Sequence, residues 1–485
     1  MNRRILHILV PLIYIMLSSS ILFGFSGEGW ELNIETNIDL NVTTNYERPD
    51  RMYDIEYIEG FNNRPLLKID LKLFQENWTF LTEGSILSLR PPMIIDPESM
   101  FTPMIKLAYV EYDNDFLFFS AGRRKQSIGI SDYNLFVNRD MPFFDGINLS
   151  VGKETGFRFD SLVSTSNLSQ IHKEHSSPFD DPENTPDEKF YEQYEKYFIY
   201  HALSYVADSW YFMIGESATI SNPKSLGDLS IFTNIHNENS DRANVGIEFQ
   251  VGKLINHRAL IYAMAAIDDL PMLEEHGTPS MLSKTPNAVA IGSGFAWNVK
   301  EGESFNYPSH NADRGMRSNT SFGRFGGGMN LSFDYVATSR WMYVRTDQHR
   351  SAETFFPGFQ SFYNYMFNPQ FVSASDHFSV PFGLKYGGDS QLFVLRTSYE
   401  TRQFKVSGVF ELLLQGWEGR ERNENDNYWG NADLSTDPDS DTYSLDWITS
   451  GNIEPKFTVR TNFEKGIYDW LSMYAGASAV ISTYL

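Results

Sequence analysis

The groups best suited to bind an anion are concentrated in one segment, Ala121–Leu149, of an otherwise acidic chain. Guanidinium groups make paired hydrogen bonds to carboxylates and phosphates, so this cluster could hold the anionic groups of a ligand. The same side chains could instead pair with neighbouring carboxylates and keep a polar interior satisfied. The segment concentrates Arg123, Arg124, Lys125, Arg139, Asp140 and Asp145.

Aromatic side chains offer a second kind of chemistry. The chain holds 38 Phe, 26 Tyr and 9 Trp, so that 15% of its residues are aromatic. Trp210, Tyr211 and Trp417 could stack on pyranose rings, while Asp, Glu, Asn and Arg contact hydroxyl groups or uronate carboxylates. Trp and Tyr are also enriched at both interfaces of a membrane, and we expect most of these aromatics there.

Metal and enzyme sites are poorly supported by the sequence. Asp437, Asp439 and Asp441 alternate as calcium ligands can, but the Gly and the distal Glu of a calcium loop are missing, which favours a solvated loop. The chain has no cysteine, which excludes thiol catalysis and cysteine-based metal sites. It also lacks a G-x-S-x-G nucleophile motif. We therefore expect no enzyme activity, no cofactor and no metal.

The net charge of −23 argues against a nucleic-acid partner, because phosphate binding needs clustered Lys and Arg. Cations or neutral sugars are easier partners for such a chain. Their binding groups must be positioned by secondary structure.

Strict alternation of apolar and polar residues recurs along the chain and predicts β-strands. In Trp30–Tyr46 every second residue is apolar or Thr across 17 positions, with Glu, Asn, Asp and Thr between them. The same pattern returns around Ile69, Phe249, Phe333 and Phe410, separated by turn-forming sequences. The polar positions of this alternating pattern include Asp70, Glu248, Asp334 and Glu411.

Amphipathic strands of this kind could build a soluble sandwich or barrel. The aromatic surplus, the strand lengths and the regular polar face favour a closed barrel, apolar toward lipid and polar toward a lumen. We predict an all-β transmembrane antiparallel β-barrel of roughly 16–18 strands, with long extracellular loops and short helical insertions. The final stretch, Leu471–Leu485, is typical of the closing strand that the barrel-assembly machinery recognises.

The N-terminus has the layout of a secretory signal peptide: Arg3 and Arg4, an apolar core from Ile5 to Leu17, and a small-x-small site at Gly24–Ser26. An uncleaved membrane anchor is the alternative. We predict a signal peptide over residues 1–26, and a barrel domain over residues 27–485 in the cell outer membrane, in contact with its lipid.

Three segments interrupt the strand pattern. Ser177–Phe198 runs from an acidic loop into a helix-like piece near Phe190–Tyr197. The aromatic segment Glu353–Phe371 could plug the lumen, lie at the membrane interface or continue as strand. Gly416–Trp447 is polar and acidic, as expected of a long extracellular loop.

Several motifs within residues 100–270 resemble the capsule-assembly Wzi family of outer-membrane barrels. They are a His opening a hairpin, a Gly-Glu pair closing it, a His-Asn pair, an Asn before the next strand and an Asp-Asp pair after it. In order these are His201, Gly215, Glu216, His236, Asn237, Asn244, Asp268 and Asp269.

The resemblance implies an 18-stranded barrel that acts as a lectin and holds capsular polysaccharide at the cell surface. Together with Arg123, Arg124, Arg139 and Asp145, the residues of the motif series are the expected ligand-binding groups. Glu216 shares the parity of the lipid-facing Trp210, so it must lie at the membrane edge or beyond a bulge to bind anything. The alternative functions are a diffusion porin for cations or neutral sugars and an adhesive surface protein.

Overall fold

The computed structural model is an all-β structure. It describes residues 19–38, 65–88, 101–139, 141, 143–153, 155–172, 191–221, 243–268, 288–303, 316–318, 325–339, 342, 359–363, 377–381, 383–384, 386–416, 453–468 and 471–482. The strands of the first half are β1 (Ser19–Gly27), β2 (Trp30–Ile38), β3 (Pro65–Gln75), β4 (Trp78–Ser88), β5 (Phe101–Asp113), β6 (Leu117–Ser127), β7 (Phe144–Gly152), β8 (Gly156–His172), β9 (Tyr191–Ala207) and β10 (Trp210–Ser221). Those of the second half are β11 (Ala243–Ile255), β12 (Ala259–Asp268), β13 (Ala288–Glu301), β14 (Met316–Ser318), β15 (Gly328–Thr338), β16 (Phe359–Tyr363), β17 (His377–Pro381), β18 (Ser390–Glu400), β19 (Phe404–Gly416), β20 (Ile453–Tyr468) and β21 (Leu471–Ser482).

One sheet of 19 strands accounts for nearly all of this structure. All strands of this sheet except β14 form a ring. Each strand of the ring pairs antiparallel with the ring strands before and after it in sequence. The last strand, β21, also pairs with β1, from Ser19↔Ala475 to Phe23↔Leu471, so the strand order returns to its start. This arrangement confirms the predicted all-β antiparallel barrel, and the number of its described strands lies within the expected range of roughly 16–18.

Side chains alternate between an apolar outer face and a polar inner face. On β11, Phe249 is 51% exposed on the outside, whereas Glu248 is 0% exposed on the inside. Asp70, Asp334 and Glu411 are buried in the same way. All four acids lie on the parity that the sequence assigned to the lumen. An apolar exterior around a polar interior is the reverse of a soluble β protein and suits a barrel surrounded by lipid.

The two edges of the ring differ in their connections. At one edge, here called the short-turn edge, eight hairpins are joined by two or three residues. The opposite edge, the long-connection edge, carries the longer connections. Exposed tryptophans mark the short-turn edge: Trp30, Trp78, Trp210 and Trp297. A tryptophan belt at the end of an apolar band is typical of a membrane interface, and it accounts for Trp210.

The predicted helix-like piece at Phe190–Tyr197 is wrong. Residues from Tyr191 onward belong to β9, which pairs with β8 from His172↔Tyr191 and with β10 from Ser221↔Lys196. Tyr residues spaced three apart suggest a helix, but aromatic side chains and a partner on each side favour the strand. The described residues contain no helix long and apolar enough to cross a membrane.

Several other expectations lie at or beyond the limits of the described residues. The predicted cleavage site at Gly24–Ser26 falls inside β1, while residues 1–18 are outside the described ranges, so the signal peptide stays a prediction. Residues 39–46, the acidic part of Ser177–Phe198 and the loop after Gly416 also lie outside them. From the aromatic segment, β16 pairs with β17 in a separate two-stranded sheet and lies against β8.

The outer face provides a direct test of the membrane assignment. Replacing Phe249, in the middle of the exposed band on β11, with Arg places a charge against lipid. We expect a loss of about 2–4 kcal/mol in the free energy of unfolding. Urea titration of the protein folded into lipid vesicles measures the loss. The control is D115R, in the exposed β5–β6 turn, which should change stability by less than about 0.5 kcal/mol. Equal effects of the two variants would contradict a lipid-facing β11.

Candidate functional site

The connection between β6 and β7 folds into the lumen instead of leaving the barrel. We call residues 128–143 the plug; Asp140 and Pro142 within it lie outside the described residues. Its side chains join a single core cluster with inward-facing residues of the wall, among them Tyr200, Tyr211 and Met264. The plug contributes Ile128, Tyr133, Leu135, Phe136, Val137, Met141 and Phe143 to that cluster.

A glycine lets the plug turn into the lumen close to the wall. Gly129 has φ of 127°, a conformation that residues with a Cβ rarely adopt. A Cβ at this position would collide with the side-chain amides of Asn134 and Gln250. The plug therefore approaches β11 at a distance that only glycine allows.

The base of the plug is attached to the wall by a buried polar network centred on Glu248. The Glu248 carboxylate accepts hydrogen bonds from the Tyr200 hydroxyl at 2.9 Å, the Gln250 amide at 2.6 Å and the Leu135 backbone N–H at 3.3 Å. Gln250 in turn accepts from the Ile130 N–H at 2.7 Å. Because these groups are excluded from water, each depends on its partner within the network.

The tip of the plug, Ser131–Tyr133, contacts three further strands of the wall. The Tyr133 hydroxyl donates to Glu411 of β19 at 3.2 Å, and Ser131 Oγ lies 3.1 Å from the Tyr262 hydroxyl of β12. Asp132 Oδ2 lies 3.5 Å from Arg396 Nη1 of β18. The plug is therefore attached along the wall from β11 to β19.

A second connection enters the lumen from the other edge. Residues 302–327 join β13 to β15 and leave the wall at the short-turn edge, where Glu301 pairs with Gly328. Within this connection, β14 pairs in parallel with Lys125–Ser127, at the end of β6 where the plug begins. Phe325 packs against the same core cluster as the plug. The described interior is therefore filled from both edges.

Each predicted basic ligand-binding residue is paired with a carboxylate. Arg123 donates to Asp145 through Nε and Nη2, both at 2.8 Å. Arg124 pairs with Glu111 on the inner face, and its guanidinium lies over the Tyr109 ring.

Within the plug, Arg139 lies 3.0 Å from Asp132. Internal ion pairing, one of the two roles that the sequence left open, is therefore realised, whereas ligand binding by these residues stays a prediction.

Arg123 and Asp145 form an ion pair between β6 and β7, the strands that precede and follow the plug. They are direct partners in the β6–β7 ladder. Asp145 shares its parity with the exposed Ile147, so the pair lies on the outer face and not in the lumen. The Arg123 guanidinium also lies 4.0 Å from the centre of the Phe143 ring.

His201 and Glu216 are brought together, as partners in the β9–β10 ladder. His201 Nδ1 lies 4.0 Å from Glu216 Oε2, and the imidazole stacks on Phe159. Glu216 has the outward parity of Phe212 and Ile214, yet it is largely buried, whereas both of those are exposed. Glu216 is therefore a largely buried carboxylate on the outer face, and its role in ligand binding stays a prediction.

The remaining predicted residues do not complete a site in the described structure. Asn244 lies opposite Thr219, and Asp268 opposite Ala288, both at the long-connection edge. His236, Asn237 and Asp269 lie outside the described residues. In the part of the chain that the structure describes, no group of three His, Asp or Glu residues could hold a metal ion.

An apolar outside, a polar inside and a ring of paired strands decide the architecture. The described strands form a transmembrane β-barrel of the outer-membrane type. No family model matches the sequence, and no curated protein is similar enough in sequence to be matched.

Among solved structures, the barrel is similar to three outer-membrane proteins. Wzi of Escherichia coli, described as a carbohydrate-binding β-barrel involved in group 1 capsule assembly, has 12% identity over 99% of this chain and 83% of its own, with a TM-score of 0.45. OccK11 (OpdR) of Pseudomonas aeruginosa has 8% identity over 96% and 94%, with a TM-score of 0.35. A loop-deleted OmpT of Vibrio cholerae has 8% identity over 96% and 97%, with a TM-score of 0.29. At TM-scores below 0.5 the strand pairing, and not these similarities, establishes the fold.

The Glu248 network predicts how the plug can be loosened. In the variant E248A, the Tyr200 hydroxyl and the Leu135 N–H lose their buried acceptor, at about 1–3 kcal/mol for each group. We expect lower stability in urea titration and new protease cleavage between residues 128 and 143, located by mass spectrometry. E301A, at an exposed pair with Arg258, is the control and should leave both readouts unchanged. A plug as resistant in E248A as in the parent would show that Glu248 does not hold it.

Proposed function

We propose that the protein is an outer-membrane barrel that binds or anchors capsular or exo-polysaccharide at the cell surface, with a lumen closed to diffusion. It is a binding protein and not an enzyme. The observation that carries the closed lumen is the plug, which is attached to β11, β12, β18 and β19. Because these contacts fix the plug inside the barrel, a ligand would be held at the surface of the barrel and would not pass through it.

The ligand class is supported by the motif series from His201 to Asp269. Of its described members, Asn244 and Asp268 lie at the long-connection edge, while His201 and Glu216 are paired near the middle of the β9–β10 ladder. That edge is the extracellular side of a barrel of this type, because its connections are the longer ones. Polysaccharide bound there would meet the connections and not the lumen.

A diffusion porin is the second candidate, and one observation favours it. Asp132 and Arg139, although inside the barrel, keep 40% and 29% of their side-chain surface exposed. Water therefore reaches the plug tip. If the plug narrows the lumen without sealing it, a path for small solutes remains.

Conductance in planar bilayers separates the two candidates. We expect the intact protein to show no open-channel steps, because the plug fills the lumen. Replacing residues 131–138 with a Gly-Ser linker should create such steps. A Gly-Ser replacement of the exposed turn 114–116 is the matched control and should stay silent. Steady open-channel conductance by the intact protein would favour the porin.

Binding to the organism's own surface polysaccharide tests the other half of the proposal. Immobilised polysaccharide should retain the intact protein and equally the linker variant of the plug, because the ligand is expected at the long-connection edge. Retention is measured by biolayer interferometry in detergent, with dextran as the reference surface. Retention no greater than on dextran would overturn polysaccharide binding and leave the barrel assignment intact.

A further inference from the structure

Two arginines lie in one row across the inner wall, level with the plug tip. Arg396 on β18 is the ladder partner of Val409 on β19, and Val409 is the partner of Arg460 on β20. Strands lie about 4.8 Å apart, so the two Cα atoms are separated by roughly 10 Å. Arg139 of the plug joins this row through Asp132, whose Oδ2 lies 3.0 Å from Arg139 and 3.5 Å from Arg396.

The carboxylates that pair with the wall arginines are buried, whereas the arginines keep part of their side-chain surface exposed. Side chains of Arg396 and Arg460 are 23% and 27% exposed, but those of their partners Asp334 and Glu411 are only 7% and 4% exposed. Both arginines have the inward parity, opposite to the outward Leu395 and Val459, so their exposed surface faces the lumen. With Arg139 and Asp132 of the plug, the partly exposed charges at this level are three guanidinium groups and one carboxylate, a net positive set.

The next row toward the short-turn edge is built from hydroxyl and amide groups. Ser398 pairs with Ser407, and Ser407 pairs with Asn462, so the three lie directly below Arg396, Val409 and Arg460. All three are partly exposed. Such groups donate to and accept from hydroxyl groups, while guanidinium groups favour carboxylates.

We propose that these two inward-facing rows beneath the plug tip bind a small polyhydroxylated carboxylate, of the sugar-acid class. The ligand carboxylate replaces that of Asp132 on Arg139 and Arg396, and its hydroxyl groups contact Ser398, Ser407 and Asn462. Asp132 occupies the position of the ligand carboxylate, because it lies between two guanidinium groups and is itself 40% exposed. The site lies on the short-turn side of the plug tip and does not depend on polysaccharide binding at the opposite edge.

Three ligands distinguish the contribution of the carboxylate charge to binding from the contribution of the hydroxyl groups. D-gluconate carries both, D-sorbitol replaces the carboxylate with an alcohol, and acetate lacks the hydroxyl groups. Isothermal titration of the full-length protein in detergent should give at least about tenfold tighter binding for gluconate than for either of the others, as expected for charge-assisted hydrogen bonds. The affinity should fall as salt is added. Gluconate that binds no more tightly than sorbitol would overturn the proposal.

Two variants test the residues that the proposal assigns. D132N removes the competing carboxylate, so folded D132N should bind gluconate several-fold more tightly than the parent. A purely structural ion pair predicts no such gain. R139Q should weaken gluconate about tenfold, whereas R258Q, at an exposed pair near the short-turn edge, should leave it unchanged. Weaker gluconate binding by folded D132N would contradict the placement of Asp132 at the position of the ligand carboxylate.

Discussion

The structure depends on the requirement that every backbone hydrogen bond be made within the sheet, because lipid offers no partner. Strands must then have both edges paired, and the only arrangement that achieves this is a ring. Once the ring exists, alternate side chains are forced to face either lipid or lumen. The apolar and polar parities of β11, β15 and β19 satisfy that division without exception at Phe249, Glu248, Asp334 and Glu411.

A polar lumen creates a second requirement, since buried carboxylates need donors. The wall supplies several of them, among them the Tyr200 hydroxyl and the Gln250 amide for Glu248. The plug provides the Leu135 N–H for Glu248 and the Tyr133 hydroxyl for Glu411, while Arg396 and Arg460 complete the pairs from neighbouring strands. The plug therefore obstructs the lumen and also supplies hydrogen-bond donors to the buried carboxylates of the wall.

Much of the fold could be predicted from the sequence, because a period of two residues is a local property. Strand positions, the lumen acids and the approximate strand number follow from it. The plug could not be predicted, since its partners on β11 and β19 are distant in sequence and its own residues have no regular period. The prediction of a helix at Phe190 was wrong for the same reason, because pairing with the distant residues of β8 and β10 makes that segment a strand. The basic cluster was found by composition, but composition could not show that Arg123 and Asp145 face outward while Arg124 faces inward.

The parallel pairing of β14 with the end of β6 also constrains how the barrel is built. These two segments are far apart in the chain and enter from opposite edges, so their contact forms only after most of the wall has been synthesised. Contacts of such high sequence separation carry a large loop-closure entropy and form slowly. Because this pairing joins a strand of the wall to a segment of the interior, completion of the wall at β6 and folding of the interior are coupled.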